Sequence, residues 1–336
     1  MNHKLRIALL GTINRDTIHT ADGVTTESYG GLLYSILALA EIASSQVAIY
    51  PICNVGADME AVVRKKLAPY PHVKFDGIRF VSGKNPHCFL DYDANGRKRE
   101  TLHNDVPKIS FSQIKPFLDC DAICFNFITG MELALETAQR VRRFATGLLL
   151  MDVHSLTLGM DEKRRRFWRV PPQWEKWMGC VDVVQMNEQE GALLAGETLH
   201  GKNATRRFAK QVLCAGPSVL MITRSNRGSE TIFQNDRSDI VIDPFDPAPI
   251  SEPCDETGCG DTFLMGYTWA FLQTGNRAVA SRFANRVAGI NVCLRGIEGI
   301  AKINQFLNPE DLPVRDIQTG QPAVLNGILP GPERRA

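Results

Sequence analysis

The chain has 336 residues, 44% hydrophobic and 22% charged, a composition of ordinary globular proteins rather than of disordered or fibrous ones. That length suits one large α/β domain carrying a small added element. Lys plus Arg number 38 against 37 for Asp plus Glu, a balance that argues against a protein built chiefly to grip nucleic acid or an anionic membrane, while leaving room for a local positive site.

Leu5–Leu10 is an apolar run read as a buried first strand that ends at Gly11. It is too short for a signal h-region, and no later stretch reaches the length of a spanning helix, so a cytoplasmic protein is expected. Two short β-prone segments follow, 17–20 and 25–28, joined at Asp22-Gly23, a hairpin signal. Gly30-Gly31 opens a helical pattern to Ile42. A strand at 47–53, a helix at 58–67 and a second hairpin at 88–92 and 99–103, turning at Asp93-Ala94-Asn95-Gly96, come next. Neither hairpin fits the surrounding alternation, so both are assigned to a small sheet projecting from the main domain.

From residue 121 the strand–helix alternation is plain. Strands are expected at 122–127, 148–153, 181–186, Val219–Thr223, 231–233 and 239–242, with helices at 132–144, Glu188–Ala195, 204–215, 260–272 and 277–294. Repeated units of this kind point to a mainly parallel sheet with helices on both faces. The basic run Lys163 to Arg166, ahead of Pro171-Pro172, reads first as a solvated helix face before a turn, with an anion or partner site as the sharper alternative. The tail from Asn308 holds five prolines (309, 313, 322, 330 and 332) and has little periodicity. Nine scattered cysteines form no CxxC pair, and most read as small buried hydrophobes in a reducing compartment.

The most informative stretch is Asp255-Glu256-Thr257-Gly258-Cys259-Gly260-Asp261-Thr262-Phe263. Small residues at 258–260 let the backbone turn tightly where a helix begins, so several N–H donors and the helix dipole converge on one point. That is a site for negative charge, with the Asp261 carboxylate beside it. A carboxylate so placed suits removal of a proton from a hydroxyl attacking a bound phosphate. Read alone, the stretch is equally a glycine-rich helix N-terminus with an acidic first turn.

Here the sequence resembles the ribokinase-like (PfkB) carbohydrate kinase family, whose C-terminal signature reads Asp-x-Thr-Gly-Ala-Gly-Asp, with Cys259 in place of the alanine. The resemblance runs to about residue 306. It implies a three-layer α/β/α sandwich at 1–306, with a β-sheet lid from about 17–28 and 87–104, and an extension at 307–336. Asn14, Asp16, Gly30, Gly31 and Ser35 look like its acceptor-binding residues. Asn187 and Glu190 fit its Asn-x-x-Glu element, associated with Mg²⁺ and phosphate positioning. Thr223 to Gly228 resembles its nucleotide loop, Asn285 falls at its adenine site, and Thr257, Gly258 and Gly260 would face the ATP phosphates. Asp255 matches a segment that binds a monovalent cation, K⁺, in several relatives. The implied reaction is phosphoryl transfer from ATP to an alcohol, with Asp261 as base, the backbone N–H groups of 258–261 as anion hole, and a lid that closes and often makes a dimer contact.

The chain departs from the pattern where Ser35 replaces the asparagine of Gly-Gly-x-x-x-Asn and where 127–129 lacks an acidic residue. An apolar wall of Tyr34 and Phe127 suits a base, a cyclitol or a modified sugar better than ribose. Arg97, Lys98 and Arg99 of the second hairpin read first as exposed turn charges, with contact to a substrate phosphate, as in a sugar-phosphate kinase, as the alternative. Two other classes stand against the kinase: a non-catalytic binding protein on the same fold, which needs no base at Asp261, and a dinucleotide oxidoreductase, for which the GxGxxG turn is missing after the first strand. No GxxxxGK[ST] is present either.

Overall fold

A computed structural model describes residues 4–250, 252–308 and 311–313. Strand β1 (Leu5–Leu10) leads directly into a hairpin of β2 (Ile13–His19) and β3 (Thr25–Gly31). The helix Leu32–Ala43 returns the chain to β4 (Val47–Gly56), and the helix Glu60–Leu67 precedes the short β5 (Ile78–Val81). A second hairpin, β6 (His87–Tyr92) and β7 (Lys98–His103), completes the excursion. Then come β8 (Ala122–Asn126), the helix Leu135–Phe144 and β9 (Leu148–Asp152). A third, short hairpin, β10 (Leu158–Met160) and β11 (Arg166–Trp168), precedes β12 (Val183–Asn187), the helices Glu188–Ala195 and Gly201–Cys214, and β13 (Val219–Thr223). Strands β14 (Ser229–Gln234) and β15 (Ile240–Phe245) lead to the long helices Cys259–Thr274 and Arg277–Asn291.

Nine strands form one sheet in the order β15-β14-β13-β12-β9-β8-β1-β4-β5. All its pairings are parallel except those of β14 with β13 and β15. Strand alternation sorts the core into two layers. Leu5, Ile7 and Leu9 of β1, with Cys124 and Leu150, face the helices Leu32–Ala43, Cys259–Thr274 and Arg277–Asn291. Ala8, Leu10, Phe125 and Met151 face Val141, Phe208 and Val212 on the other side. Each fully buried Leu or Ile contributes about 1.5–3 kcal/mol, so both faces of the sheet are firmly covered. This is the three-layer arrangement the sequence implied.

The lid is a separate four-stranded sheet, β3-β2-β6-β7. Its strands run longer than the sequence signals suggested, so Asn14 and Asp16 are themselves lid residues, opposite Gly30 and Ser28. The basic run departs from expectation more sharply. It is the turn and return strand of the β10–β11 hairpin, not a helix face. Asp161 Oδ1 accepts the N–H groups of Lys163 (3.0 Å) and Arg165 (2.9 Å), which closes the turn, with Arg164 at φ 65°. Arg164 then donates through Nη1 and Nη2 to Asp105 at 2.8 Å each and through Nε to Leu102 O at 2.7 Å. The run is therefore used to dock the hairpin on β7.

The nine cysteines are unpaired, and five are buried. Among the described residues no helix is long and apolar enough to cross a membrane. Most of the expected extension at 307–336 lies outside the described residues.

Candidate active site

Strand order reverses between β1 and its neighbour β8, which opens a crevice at their C-terminal ends. The three apolar strands β8, β9 and β12 each end on a polar residue: Asn126, Asp152 and Asn187. The N-terminus of the helix Cys259–Thr274 meets them there.

Asp261 sits in the first turn of that helix. Its Oδ1 accepts from Ser35 Oγ at 2.9 Å and from Asn126 Nδ2 at 2.8 Å, and Asn126 Nδ2 also lies 2.6 Å from Ser35 Oγ. Burial raises the Asp261 pKa above the ordinary carboxylate range, against the pull of Asn126, His154 and Ser35. A carboxylate held at one oxygen, with its basicity raised, is equipped to take a proton. Ser35, expected to face an acceptor, is fully buried and orients Asp261 instead.

Gly258 is left-handed, at φ 78°, and leaves no room for a Cβ against the Tyr34 ring. Cys259 N–H donates to Glu256 O at 3.2 Å and Thr262 N–H to Gly258 O at 2.9 Å. Of the four amides expected to form an anion hole, that of Cys259 is therefore already engaged. The Cys259 thiol packs inward: Asn291 Nδ2 lies 3.1 Å from Sγ, and burial pushes its pKa up to about 12. It is a small filler, not a nucleophile. Asn291 also donates to Thr257 O at 3.0 Å, and Gln185 Nε2 to Gly260 O at 2.9 Å, which pins the loop from both sides.

Above this point the lid presents Asn14 and Asp16. Asn14 Nδ2 donates to Asp16 Oδ1 at 2.6 Å, while Asn14 Oδ1 is buried without a partner. A Cβ on Gly30 would stand 2.6 Å from Asp16 Oδ2, so the glycine is what lets that oxygen lie here. Burial, then Glu100, raise the Asp16 pKa to about 7, against Lys98. As this is a carboxylate whose folded pKa lies above its unfolded value near 3.9, it favours the folded state below that range and withdraws this support as pH rises towards 7. For a hydroxyl held by Asp16, as the sequence resemblance implies, binding has the opposite sign, because the ionised form is the better acceptor. The acceptor KM is expected to rise about tenfold per unit as pH falls below 7. Asp16→Asn should raise KM by about 10–100-fold and flatten this dependence, as initial rates between pH 5.5 and 8.5 would reveal.

On the opposite side, Asn187 caps the helix Glu188–Ala195. Glu190 N–H donates to Asn187 Oδ1 at 2.9 Å, Asn187 N–H to Glu190 Oε2 at 2.8 Å and Asn187 Nδ2 to Glu190 Oε1 at 2.7 Å. His154 Nδ1 lies 3.5 Å from Glu190 Oε1, and its side chain is 54% exposed. Desolvation is the largest single influence and opposes its charge, but Glu190, Asp152 and Asp261 together outweigh it and raise its pKa to about 9. Burial drives Asp152 well above the usual range; His154 draws it back, while Glu190 and Asp261 add to the rise. Asp152, His154, Gln185 and Asn126 form the part of the site that sequence reading missed. Asn126 and Asp152 offered only the weak signal of a polar residue closing an apolar strand, and Gln185, inside β12, and His154, after β9, offered none.

Other expected residues take structural posts. Thr223 ends β13 opposite Ser229, and Gly228, at φ 82°, passes too close to Phe245 O for any side chain. Asn285 is buried and donates to Ser229 Oγ at 2.8 Å and Ser281 O at 3.0 Å, inside the packing between β14 and its helix. Asp255 accepts from Thr257 N–H at 2.9 Å and Gly296 N–H at 3.2 Å, tying the anion loop to the following turn. Phe127 is likewise core, packed edge-on against Trp177 with ring centroids 5.3 Å apart. An acidic residue does stand beyond β8: Glu132 is buried, and its Oε1 accepts from Thr12 Oγ1 at 3.0 Å and from Thr129 N–H at 2.6 Å.

Residues 159–301 match the family described as pfkB family carbohydrate kinase. A ribokinase of Bacillus subtilis (strain 168) is 31% identical over 113 residues, a segment that spans 34% of this chain and only 33% of that enzyme. Among solved structures, a pyrophosphate-dependent kinase in the ribokinase family, in a sulfate complex, superposes with a TM-score of 0.70 at 17% identity over 86% of this chain and 96% of its own. Arabidopsis thaliana ribokinase complexed with ribose and ATP gives a TM-score of 0.68 at 15% identity over 90% and 99%.

Proposed function

Since the chain belongs to the ribokinase-like pfkB family of carbohydrate kinases, we propose that it moves a phosphoryl group from ATP to a hydroxyl of a sugar-like or nucleoside-like alcohol. The observation that carries this reading is Asp261 itself. Its carboxylate stands in the first helical turn beside the free amides of Gly258 and Gly260, with basicity raised by burial and one oxygen fixed by Ser35 and Asn126. A non-catalytic binder on this fold has no use for such a carboxylate.

The acceptor lies between the lid residues Asn14 and Asp16 and the Gly30-Gly31 backbone, with its reactive hydroxyl at Asp261. Asp261 takes the proton, and the N–H groups of Gly258, Gly260 and Asp261 face the charge that develops on the transferring phosphoryl group. The donor lies along the C-terminal half, past Thr257 and towards the loop from Thr223 to Gly228. Among the described residues no three His, Cys, Asp or Glu side chains are arranged to ligate a metal directly. The crowded carboxylates Asp152 and Glu190 nevertheless fit a hydrated Mg²⁺, held through water, and His154 offers a positive charge beside them. Mg²⁺ there supplies positive charge against the donor phosphates. K⁺ is proposed at the turn closed by Asp255 as an ordering ion for the anion loop; turnover with and without K⁺ reads it.

The lid carries a second groove of about 560 Å³ on its other face, lined by Arg15, His87, Phe89 and His103 among others. Strand alternation turns these away from Asp16, so the groove is not the acceptor site. A lid-to-lid homodimer through that face is proposed, and sedimentation of the full chain checks it.

The deciding experiment measures turnover with Mg²⁺ across sugars, nucleosides, cyclitols and sugar phosphates, using ATP and, in parallel, pyrophosphate as donor. Transfer from ATP to one acceptor class supports the reading. Transfer from pyrophosphate alone would move the donor, and bound but unconsumed ATP would favour the non-catalytic alternative.

A further inference from the structure

The β10–β11 hairpin extends the lid beyond β7. Leu102 N–H donates to Arg164 O at 3.0 Å, and Thr101 faces Arg165 across an antiparallel bridge. Residues opposite one another in a ladder share a face, and their chain neighbours take the other. Thr101 and Arg165 therefore point one way, and Glu100 and Arg166 the other. The same alternation runs through the lid, where Asp16 faces Cys88 and Cys88 faces Leu102. Glu100 and Arg166 thus share the face that carries Asp16.

The Arg166 side chain is 3% exposed, and its Nε and Nη2 have no hydrogen-bond partner. Glu100 Oε1 stands 3.7 Å from Nε, beyond hydrogen-bonding reach, and Glu100 Oε2 pairs with Lys98 Nζ at 3.2 Å. Glu132, whose charge also reaches Arg166, gives its Oε1 to Thr12 and to Ile128 and Thr129, while its Oε2 is buried and makes no hydrogen bond to Arg166 or to any other described group. No side chain of the lid therefore fills this edge of the guanidinium. Nε–H and Nη2–H lie side by side along that edge, a fork that matches the two oxygens of a carboxylate or phosphate. Nearer the base, the orphaned buried atoms include the amide oxygens Asn14 Oδ1, Asn126 Oδ1 and Gln185 Oε1, acceptors that suit hydroxyls. Three strand spacings, about 14 Å in all, separate β2 from β11, so the two ends of one acceptor meet different chemistry.

Resting on the kinase reading above, we propose that Arg166, with Lys98 beside it, selects the acceptor: a polyol bearing an acidic group, carboxylate or phosphate, at the end remote from the hydroxyl that Asp261 activates.

The test is calorimetric titration of the full chain with D-gluconate, D-ribose 5-phosphate and D-glucitol at equal ionic strength. One of the two acids is expected to bind at least about 30-fold more tightly than the neutral polyol, and which one does so distinguishes carboxylate from phosphate. Arg166→Gln should weaken that acid by about 100-fold or more and leave D-glucitol unchanged. Arg166→Lys, which keeps the charge and loses the fork, should restore only part, and it carries the comparison if the glutamine variant melts early. D-Glucitol binding as well as both acids, no binding of any of the three, or acid binding that ignores Arg166→Gln would each overturn the proposal. Because binding is read without turnover, Arg166-dependent acid binding with no phosphoryl transfer from either donor would sink the kinase reading and spare this site. Efficient turnover of neutral polyols, unchanged in Arg166→Gln, would do the reverse.

Discussion

Asp261→Asn is expected to lower kcat by about 10²–10⁴-fold while leaving the acceptor KM and the fold in place. Asparagine has the same shape, and its Oδ1 can still accept from Ser35 Oγ and Asn126 Nδ2, the two donors that hold Oδ1 now. What disappears is the oxygen able to receive a proton. Burial raises the Asp261 pKa, so the ionised carboxylate opposes folding and the neutral amide should be at least as stable by thermal melting. The wild-type kcat should also fall on the acid side through a pKa above the ordinary carboxylate range, and the variant should lack that limb. Full kcat in the asparagine variant would remove Asp261 from the base position, whatever the family.

Ser35 and Asn126 make a milder counterpart. Each alanine substitution frees the Asp261 carboxylate to turn, and Ser35→Ala leaves Asn126 as one remaining donor. The expected loss is smaller, about tenfold in kcat, and falls on kcat rather than on acceptor KM. A rise in KM alone would restore Ser35 to the acceptor-binding role that its sequence position implied.

The parts of the site legible in the sequence are those fixed by neighbours in the chain. A glycine-flanked Asp at a helix start and an Asn-x-x-Glu cap each announce themselves within four residues, and both stand as expected in the structure. Both lid hairpins were marked by their Asp-Gly and Asn-Gly turns, with Gly23 at φ 83° and Gly96 at φ 71°. What escaped was assembled across the fold. Asn126 meets Asp261 over a sequence separation of 135, and nothing local distinguishes it from any polar residue ending a strand. The β10–β11 hairpin was hidden because a turn led by Asp161 holds it and its return strand is three residues long, too short for an alternation to show. The sequence therefore favours a solvated charge at Arg166 over an anion site, whereas strand parity carries it to the inner face of the lid.

Gly31→Ala is expected to be the most damaging single methyl in the acceptor pocket. Gly31 ends β3 and caps the helix Leu32–Ala43 at φ 62°, ψ −131°, a region that only glycine enters readily. An added Cβ there would collide with the Thr12 carbonyl oxygen and with Asn14 Oδ1, and would stand 2.9 Å from Ile128 Cγ2. The Thr12 carbonyl is backbone and already accepts Leu32 N–H at 2.9 Å, so it has little freedom to retreat. Strain of about 1–3 kcal/mol adds to the collision. A loss of about 3–5 kcal/mol would lower the melting temperature by roughly 6–15 °C. Displacing Asn14 also moves the acceptor ligands, so acceptor kcat/KM should fall by about 100-fold or more. Gly23→Ala separates the two causes, because Gly23 shares the positive φ, at 83°, but has nothing within 4 Å of an added Cβ. It should show backbone strain alone, about 1–2 kcal/mol, with acceptor kinetics unchanged. If the two variants melt together and catalyse alike, the close approach of Gly31 to Thr12 and Asn14 has no part in shaping the acceptor site.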